Sequence, residues 1–428
     1  MTSRRTWFVW HSWIGLTAGL MLFVICWSGA VAVFSYELDW LLNPALQATP
    51  SDRVDWTAIK AKAEAAFPGA SVFQVGEPRA PGYAAEVILL YGDDFDFWLG
   101  YADPATGAVL GDSSYFNIQR FFRSFHMNLF FLSGNFNLGL WGYRIVEFFS
   151  LVLIASAITS LVFYRRWWRG FFKLETRKGP RVFWSDVHKL TGLWSLWFVL
   201  PIALTGIWYF AEEFTPESPL PPDVPNVPAR AVTRPDLNAL IATAEAALPN
   251  FHVTRVIFDG EDLLVDVYGY DDALLVRDRS ARVWLDPRDG SVLGTQRTAD
   301  LTLYERWIDT ADPLHFGNFG GLTSKLVWFF FGLTLSALSL TGAYLQVKRQ
   351  QKRTPYSSTR ARVRIAYGLT LVLLLVSAVG GWYEIRDYGF PMGGEGVFPP
   401  VPLPVTAFIG LWVFSTLGAL TLWMLKSR

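Results

Sequence analysis

His11-Ser12-Trp13-Ile14-Gly15-Leu16 opens an apolar run that closes on Ser28-Gly29. The pattern returns as His188-Lys189-Leu190-Thr191-Gly192-Leu193 and closes on Thr205-Gly206. In both copies the histidine precedes the closing glycine by 18 residues, about 27 Å of α-helix at 1.5 Å per residue. A bilayer's hydrocarbon core is roughly 30 Å thick. The spacing predicts a helix that carries a histidine at one membrane face and reaches the other, used twice.

Composition points the same way. Of 428 residues, 52% are hydrophobic, and the 20 tryptophans and 34 phenylalanines suit several spans with aromatic ends. The formal net charge is zero, which argues against an electrostatic nucleic-acid partner. A single cysteine, Cys26, excludes an intrachain disulfide, a cysteine-held iron–sulfur cluster and covalent haem attachment through Cys-x-x-Cys-His. The N-terminal run has no small-residue cleavage site and is read as a retained span.

Working outward, six spans are expected at 7–34, 138–164, 187–211, 323–346, 365–384 and 404–425. Arg4 and Arg5 precede the first, Arg165, Arg166 and Arg169 follow the second, Lys348, Arg349, Lys352 and Arg353 follow the fourth, and Lys426 follows the last. With six crossings all of these lie on one side, which the positive-inside rule makes the cytoplasm. The expected protein is therefore an α-helical membrane bundle with both termini cytoplasmic. Two polar domains, 40–115 and 230–298, then lie outside, the second after a proline-rich linker from Pro216 to Pro235.

The polar domains are also copies. Ala63-Glu64-Ala65-Ala66-Phe67-Pro68 matches Ala244-Glu245-Ala246-Ala247-Leu248-Pro249, and Asp103-Pro104-Ala105-Thr106-Gly107-Ala108-Val109-Leu110-Gly111 matches Asp286-Pro287-Arg288-Asp289-Gly290-Ser291-Val292-Leu293-Gly294. Each reads as a helix followed by alternating strands, a small α+β unit with a glycine turn before its last strand. Beyond them Phe125-His126 corresponds to Leu314-His315, Gly134-Asn135-Phe136 to Gly317-Asn318-Phe319, and Ala155 and Thr159 to Ala337 and Thr341. An internal duplication of span, outer domain, histidine and span covers about 7–166 and 184–349.

Four of the five histidines fall at matched positions. By topology His11 and His188 lie at the cytoplasmic ends of spans one and three, and His126 and His315 lie on the outer side before spans two and four. His252 has no counterpart, since Ser71 takes its place, and is read as a surface or packed residue. Neutral imidazole is a common axial ligand of haem iron. Zinc lacks the carboxylate or thiolate needed to complete a tetrahedron, a proton relay usually recruits intramembrane carboxylates, and an interfacial packing role stays open. Arg144 and Glu147, three residues apart in the second span, are placed to pair. Arg144, Lys325 and Arg123, or Arg120 beside it, are candidate contacts for a haem propionate on the outer side, with snorkelling cations as the alternative.

These strings resemble the PepSY-associated transmembrane helix family of bacterial inner-membrane proteins over about residues 7–349. The two Asp-Pro-x-x-Gly-x-Val-Leu-Gly strings are similar to PepSY domain endings, and the segments at His11, His126, His188 and His315 are similar to the family's histidine motifs. Among such proteins are di-haem ferric-siderophore reductases. The resemblance implies that His11, His126, His188 and His315 ligate two b-type haems, one towards each face. It also implies an oxidoreductase whose acceptor is a ferric siderophore, expected to dock between the two outer domains, or another periplasmic compound. No glycine-rich nucleotide fingerprint occurs in the cytoplasmic loops, so the electron donor is expected to be quinol or a cytoplasmic reductase. The rivals are a membrane-anchored PepSY binding or regulatory protein and an iron or siderophore transporter. The 365–425 hairpin lies outside the repeat and has no assigned role.

Overall fold

The first histidine-led run does not fold as one straight rod. In the computed structural model, which describes residues 3–92, 96–133, 136–215, 236–259, 264–351, 356–388 and 398–427, α1 (Arg4–Thr17) and α2 (Gly19–Ala32) meet at Ala18 with a bend of 64°. The second run behaves alike: α7 (Pro180–Trp194) and α8 (Leu196–Glu212) meet at Ser195 with a bend of 63°. The bend costs little backbone bonding, because Ala18 N–H still reaches the Ile14 carbonyl at 3.0 Å and the Ala18 carbonyl still accepts from Leu22 at 2.9 Å. What it gains is contact. A Cβ at Gly19 would stand 3.2 Å from the Ser339 carbonyl oxygen, so glycine there lets α2 press onto α11 (Gly321–Gln350).

Among the described residues, four helices are individually long and apolar enough to cross a membrane: α6 (Trp141–Phe163), α11, α12 (Tyr356–Asp387) and α13 (Leu403–Ser427). Counting each bent pair as one crossing raises the number to as many as six. The closest helix packing is α2 on α11 and α6 on α8, with α1 on α6 and α7 on α11. Two shorter helices bring in the outer histidines: α5 (Ile118–Asn128) lies on α2, and α10 (Leu303–Phe316) lies on α8.

The two polar regions do not fold as separate units. The first supplies α4 (Trp56–Ala66), β1 (Ala70–Gly76), β2 (Ala85–Tyr91), β3 (Asp96–Ala102) and β4 (Val109–Ser114). After the two-residue strands β5 (Leu132–Ser133) and β6 (Phe136–Asn137), the second supplies α9 (Leu237–Ala247), β7 (His252–Asp259), β8 (Leu264–Tyr270), β9 (Ala281–Leu285) and β10 (Val292–Gln296). All eight longer strands form one antiparallel sheet in the order β10-β9-β8-β7-β1-β2-β3-β4. The seam is β1 against β7, with Gln74 opposite Ile257, Val75 opposite Val256 and Gly76 opposite Arg255. An unpaired strand edge exposes a row of N–H and C=O groups, and each copy covers the other's edge.

One core continues through the seam. Ile59 and Ala63 of α4 and Ile241 and Ala244 of α9 cover Val75, Val87, Val256 and Val267 on the same sheet face, all buried. The helix starts also interlock: Asn238 accepts from Trp56 N–H at 2.9 Å and donates to the Asp55 carboxylate at 2.9 Å. The glycine turns are as read. Asp103 N–H donates to the Ala108 carbonyl and Asp286 N–H to the Ser291 carbonyl, with Gly107 at φ +69° and Gly290 at φ +75°. At Gly107 a Cβ would also stand 2.4 Å from the Ala58 carbonyl carbon, so only glycine fits. The Pro216–Pro235 linker, Gly134-Asn135, Lys352 and Arg353 lie outside the described residues.

Asp39, on the short α3 (Ser35–Leu42), ties this sheet-bearing region to the bundle. Its carboxyl accepts from the Ile118 and Gln119 N–H groups at 2.8 Å each, at the start of α5. Burial pushes that carboxyl up to about 7, outweighing the two donors that favour the anion. An acid whose folded value lies above its unfolded value holds extra protons in the native state, so its stabilising contribution is complete below about 4 and declines as pH rises to about 7. Thermal unfolding in detergent is expected to show this decline, with a limiting slope of about 1.4 kcal/mol per pH unit. Asp39→Asn should flatten the slope across that window, which a pH series of melting curves reads directly.

Candidate functional site

The four matched histidines come from four different helices and gather into two layers. His126 on α5 and His315 on α10 face each other with ring centroids 6.2 Å apart and planes inclined by 46°. His11 on α1 and His188 on α7 both lie on helices packed against α11, which reaches α1 through Arg349 and Ser12 and α7 through Thr341 and His188. All four rings are half-buried. His252 lies apart from both layers, exposed at the start of β7 and stacked on Tyr270 at 5.1 Å.

Each ring is held through Nδ1. Thr159 Oγ1 lies 3.2 Å from His11 Nδ1, and the Ser156 carbonyl lies 3.1 Å from the same atom. Ser28 Oγ lies 3.1 Å from His126 Nδ1, Thr341 Oγ1 3.2 Å from His188 Nδ1, and Thr205 Oγ1 2.8 Å from His315 Nδ1. Rings are further boxed in by Phe163 beside His11 and Tyr209 beside His315, each at 5.3 Å. Tyr209 in turn donates to Asp312 at 2.8 Å, and Arg277 pairs with the other oxygen of Asp312. A chain of contacts thus links the outer layer to the loop before β9.

Glycines make room for two of the rings. A Cβ at Gly29 would stand 2.6 Å from His126 Cε1, and one at Gly342 would stand 2.9 Å from His188 Cε1. Gly15 and Gly192 do something different. They lie one helical turn beyond His11 and His188, where a Cβ at Gly15 would meet nothing within 4 Å and one at Gly192 only Leu338 Cδ2 at 3.9 Å. Glycine thus leaves open space one helical turn from each inner histidine.

The expected cations are placed otherwise than the sequence suggested. Arg144 pairs with Glu213 at 3.4 Å rather than with Glu147. Packing of α6 on α8 brings Glu213, just past the end of α8, to that guanidinium, while Glu147 stays buried with one carboxylate oxygen unpartnered. Lys325 is taken by Glu37. Arg123 is exposed on the side of α5 that, with Arg120, Ser124, Met127, Glu384 and Tyr388, lines a cavity of about 270 Å³. Arg120 itself donates to Tyr388 Oη at 2.8 Å and stacks over Tyr115 at 4.4 Å. At the inner layer Arg349 reaches Ser12 Oγ, next to His11 in α1, at 3.2 Å and stacks over Phe8 at 4.1 Å. Sequence reading left Arg349 in a basic loop, because the register of α11 against α1 is not written in either segment.

Two imidazole nitrogens each about 2 Å from a shared metal hold their ring centroids about 6 Å apart. The outer pair meets that requirement. Among the described residues no group of three or more His, Cys, Asp or Glu side chains is arranged to hold a metal ion. A metal between two of these rings would therefore draw its remaining donors from a non-protein ligand.

Comparison with known proteins agrees with the fold. Residues 8–349 match the family model of the PepSY-associated TM region. The chain is also similar to a Pseudomonas aeruginosa protein, the uncharacterized PA4219, at 24% identity over 310 residues, covering 66% of this chain and 77% of that one. The match ends at Arg349, so α12 and α13 lie beyond it.

The close approach at Gly29 can be tested. Gly29→Val places carbons within the His126 ring's space and is expected to cost about 1–3 kcal/mol as overpacking. Gly410→Val, on α13 where a Cβ meets nothing within 4 Å, should leave the melting midpoint in detergent unchanged.

Proposed function

The chain belongs to the PepSY-associated transmembrane-region family, and from that premise we propose that it is a di-haem oxidoreductase of the bacterial inner membrane. It carries electrons to an acceptor outside, with a ferric siderophore as the acceptor class that the resemblance to di-haem ferric-siderophore reductases implies. Six crossings, cytoplasmic termini and an internally duplicated bundle belong to the same reading. The recurrence of α1 on α6 as α7 on α11, and of α2 on α5 as α8 on α10, supports the duplication. The observation that carries the proposal is the pair of rings 6.2 Å apart, His126 and His315, with His11 and His188 at the matching positions of the repeat on α1 and α7.

In this reading His126 and His315 hold one b-type haem and His11 and His188 the other. Bound haem supplies a one-electron iron couple whose potential the protein sets through axial ligands, burial and hydrogen bonds. The chain's own residues do the rest. Nδ1 contacts orient the four rings, Gly15 and Gly192 leave open space one helical turn from the inner pair, and Arg349 offers a cation to an inner carboxylate. On the outer side Lys325 and Arg144 already face Glu37 and Glu213, which leaves Arg123 and Arg120 as the expected cations without an ion pair among the described residues. One-electron reduction of a ferric chelate to the ferrous form weakens its hold on hard oxygen donors and releases iron. The line between the two outer units is closed where β1 and β7 pair at Gln74–Gly76 and Arg255–Ile257.

A reduced-minus-oxidised absorbance spectrum of the detergent-purified protein, with haem counted by pyridine haemochrome, tests this reading. Two b-type haems per chain are expected, and none would overturn the proposal in favour of a binding or regulatory role. His126→Ala or His315→Ala should lose the outer haem and keep the inner one, while His252→Ala should leave the spectrum unchanged. Gly15→Leu, which fills the space one helical turn from His11, should lower occupancy of the inner haem alone.

A further inference from the structure

Four hydroxyls at repeated positions meet the four histidines, and each also reaches a carbonyl of its own helix. Thr159 Oγ1 donates to the Ala155 carbonyl at 2.7 Å, Thr341 Oγ1 to the Ala337 carbonyl at 2.8 Å, Thr205 Oγ1 to the Pro201 carbonyl at 2.7 Å, and Ser28 Oγ to the Ile25 carbonyl at 2.9 Å. A hydroxyl has one O–H to give and two lone pairs to receive. With that proton kept on its own helix, each oxygen accepts from histidine. A backbone carbonyl, which never donates, makes the same demand of His11 through Ser156. Neutral imidazole carries a single proton, so placing it on Nδ1 leaves the lone pair on Nε2.

We infer that Ser28, Thr159, Thr205 and Thr341 are positioning residues that set the tautomer and electron donation of the four histidines. The inference rests on the haem reading above and extends it to residues that touch no metal. A ligating histidine that donates its second N–H is a stronger electron donor, and the partner orients the ring.

The arrangement has a further regularity. Each hydroxyl lies in the same half of the chain as its histidine: Ser28 with His126, Thr159 with His11, Thr205 with His315 and Thr341 with His188. In the outer pair the facing ring comes from the other half. Each half thus presents two oriented imidazoles, and assembly of the halves completes the outer pair. In three of the four cases the next residue is glycine, as Ser28-Gly29, Thr205-Gly206 and Thr341-Gly342. At Gly29 and Gly342 that glycine clears space for the very ring its neighbour binds.

The test uses the full-length protein in detergent with Thr205→Val and Thr341→Val, which remove the acceptor oxygen at near-constant shape, and Thr205→Ser and Thr341→Ser, which retain it. Redox potentiometry of the haem bands, electron paramagnetic resonance of the ferric protein, and haem affinity are read for each. Thr205→Val is expected to raise the midpoint potential of one haem component only and to weaken haem retention about tenfold or more. Thr341→Val should do so for the other component, and both serine variants should restore the parent values. Unchanged potentials and resonance signals in both valine variants would overturn the inference, as would equal shifts of both components in each. A parent protein that binds no haem would instead remove the reading on which it rests.

Discussion

A neutral imidazole inside a helical bundle has one N–H to place and one lone pair left over, and the placement decides what the ring can do next. An unsatisfied buried donor costs about 1–3 kcal/mol, so each of the four rings needs a fixed acceptor before it needs a ligand. The bundle provides one at every site through Ser28, Thr159, Thr205 or Thr341. Both broken runs serve this purpose. Bending at Ala18 and at Ser195 separates the segment that bears a histidine from the segment that bears an acceptor hydroxyl. One bent run therefore contributes to both layers, with His11 and Ser28 in the first copy and His188 and Thr205 in the second.

The outer sheet is attached to this frame at defined points. Its eight strands act as one layer because β1 and β7 satisfy each other's backbone groups, and α4 and α9 share caps above the seam. Below, Asp39 holds the first turn of α5, the helix that carries His126. On the other side, Arg277 and Asp312 join the loop before β9 to α10, the helix that carries His315. Both outer histidines thus sit on short helices clamped between sheet and bundle.

Charge at the outer end follows the rule that buried ions are paired. Lys325 meets Glu37 and Arg144 meets Glu213, and each pair ties one helix to another. Among the described residues, Glu37 Oε2, Glu213 Oε1 and the nearby Glu147 Oε2 are buried without a hydrogen-bond partner. Such oxygens are costly in a low-dielectric setting. Arg349 places a guanidinium at the inner layer.

Much of this was legible in one dimension. Apolar run lengths located the long helices, Asp103 to Gly107 and Asp286 to Gly290 announced their turns, and repetition alone separated His11, His126, His188 and His315 from His252. The roles of Ser28 and Thr205 and of Thr159 and Thr341 lay in plain view as repeated positions, but a hydroxyl in a helix usually bonds its own backbone, so repetition could not say that each also receives a histidine. Local periodicity and composition determine which segments are helices and strands, because those depend on neighbours within a few residues. Only tertiary packing decided that the two polar copies share one sheet, that Arg144 takes Glu213 instead of Glu147, and that Arg349 stands beside the inner rings. Strand edges, ion pairs and helix register are settled between segments distant in the chain, where the energies depend on a few ångströms that no linear spacing records.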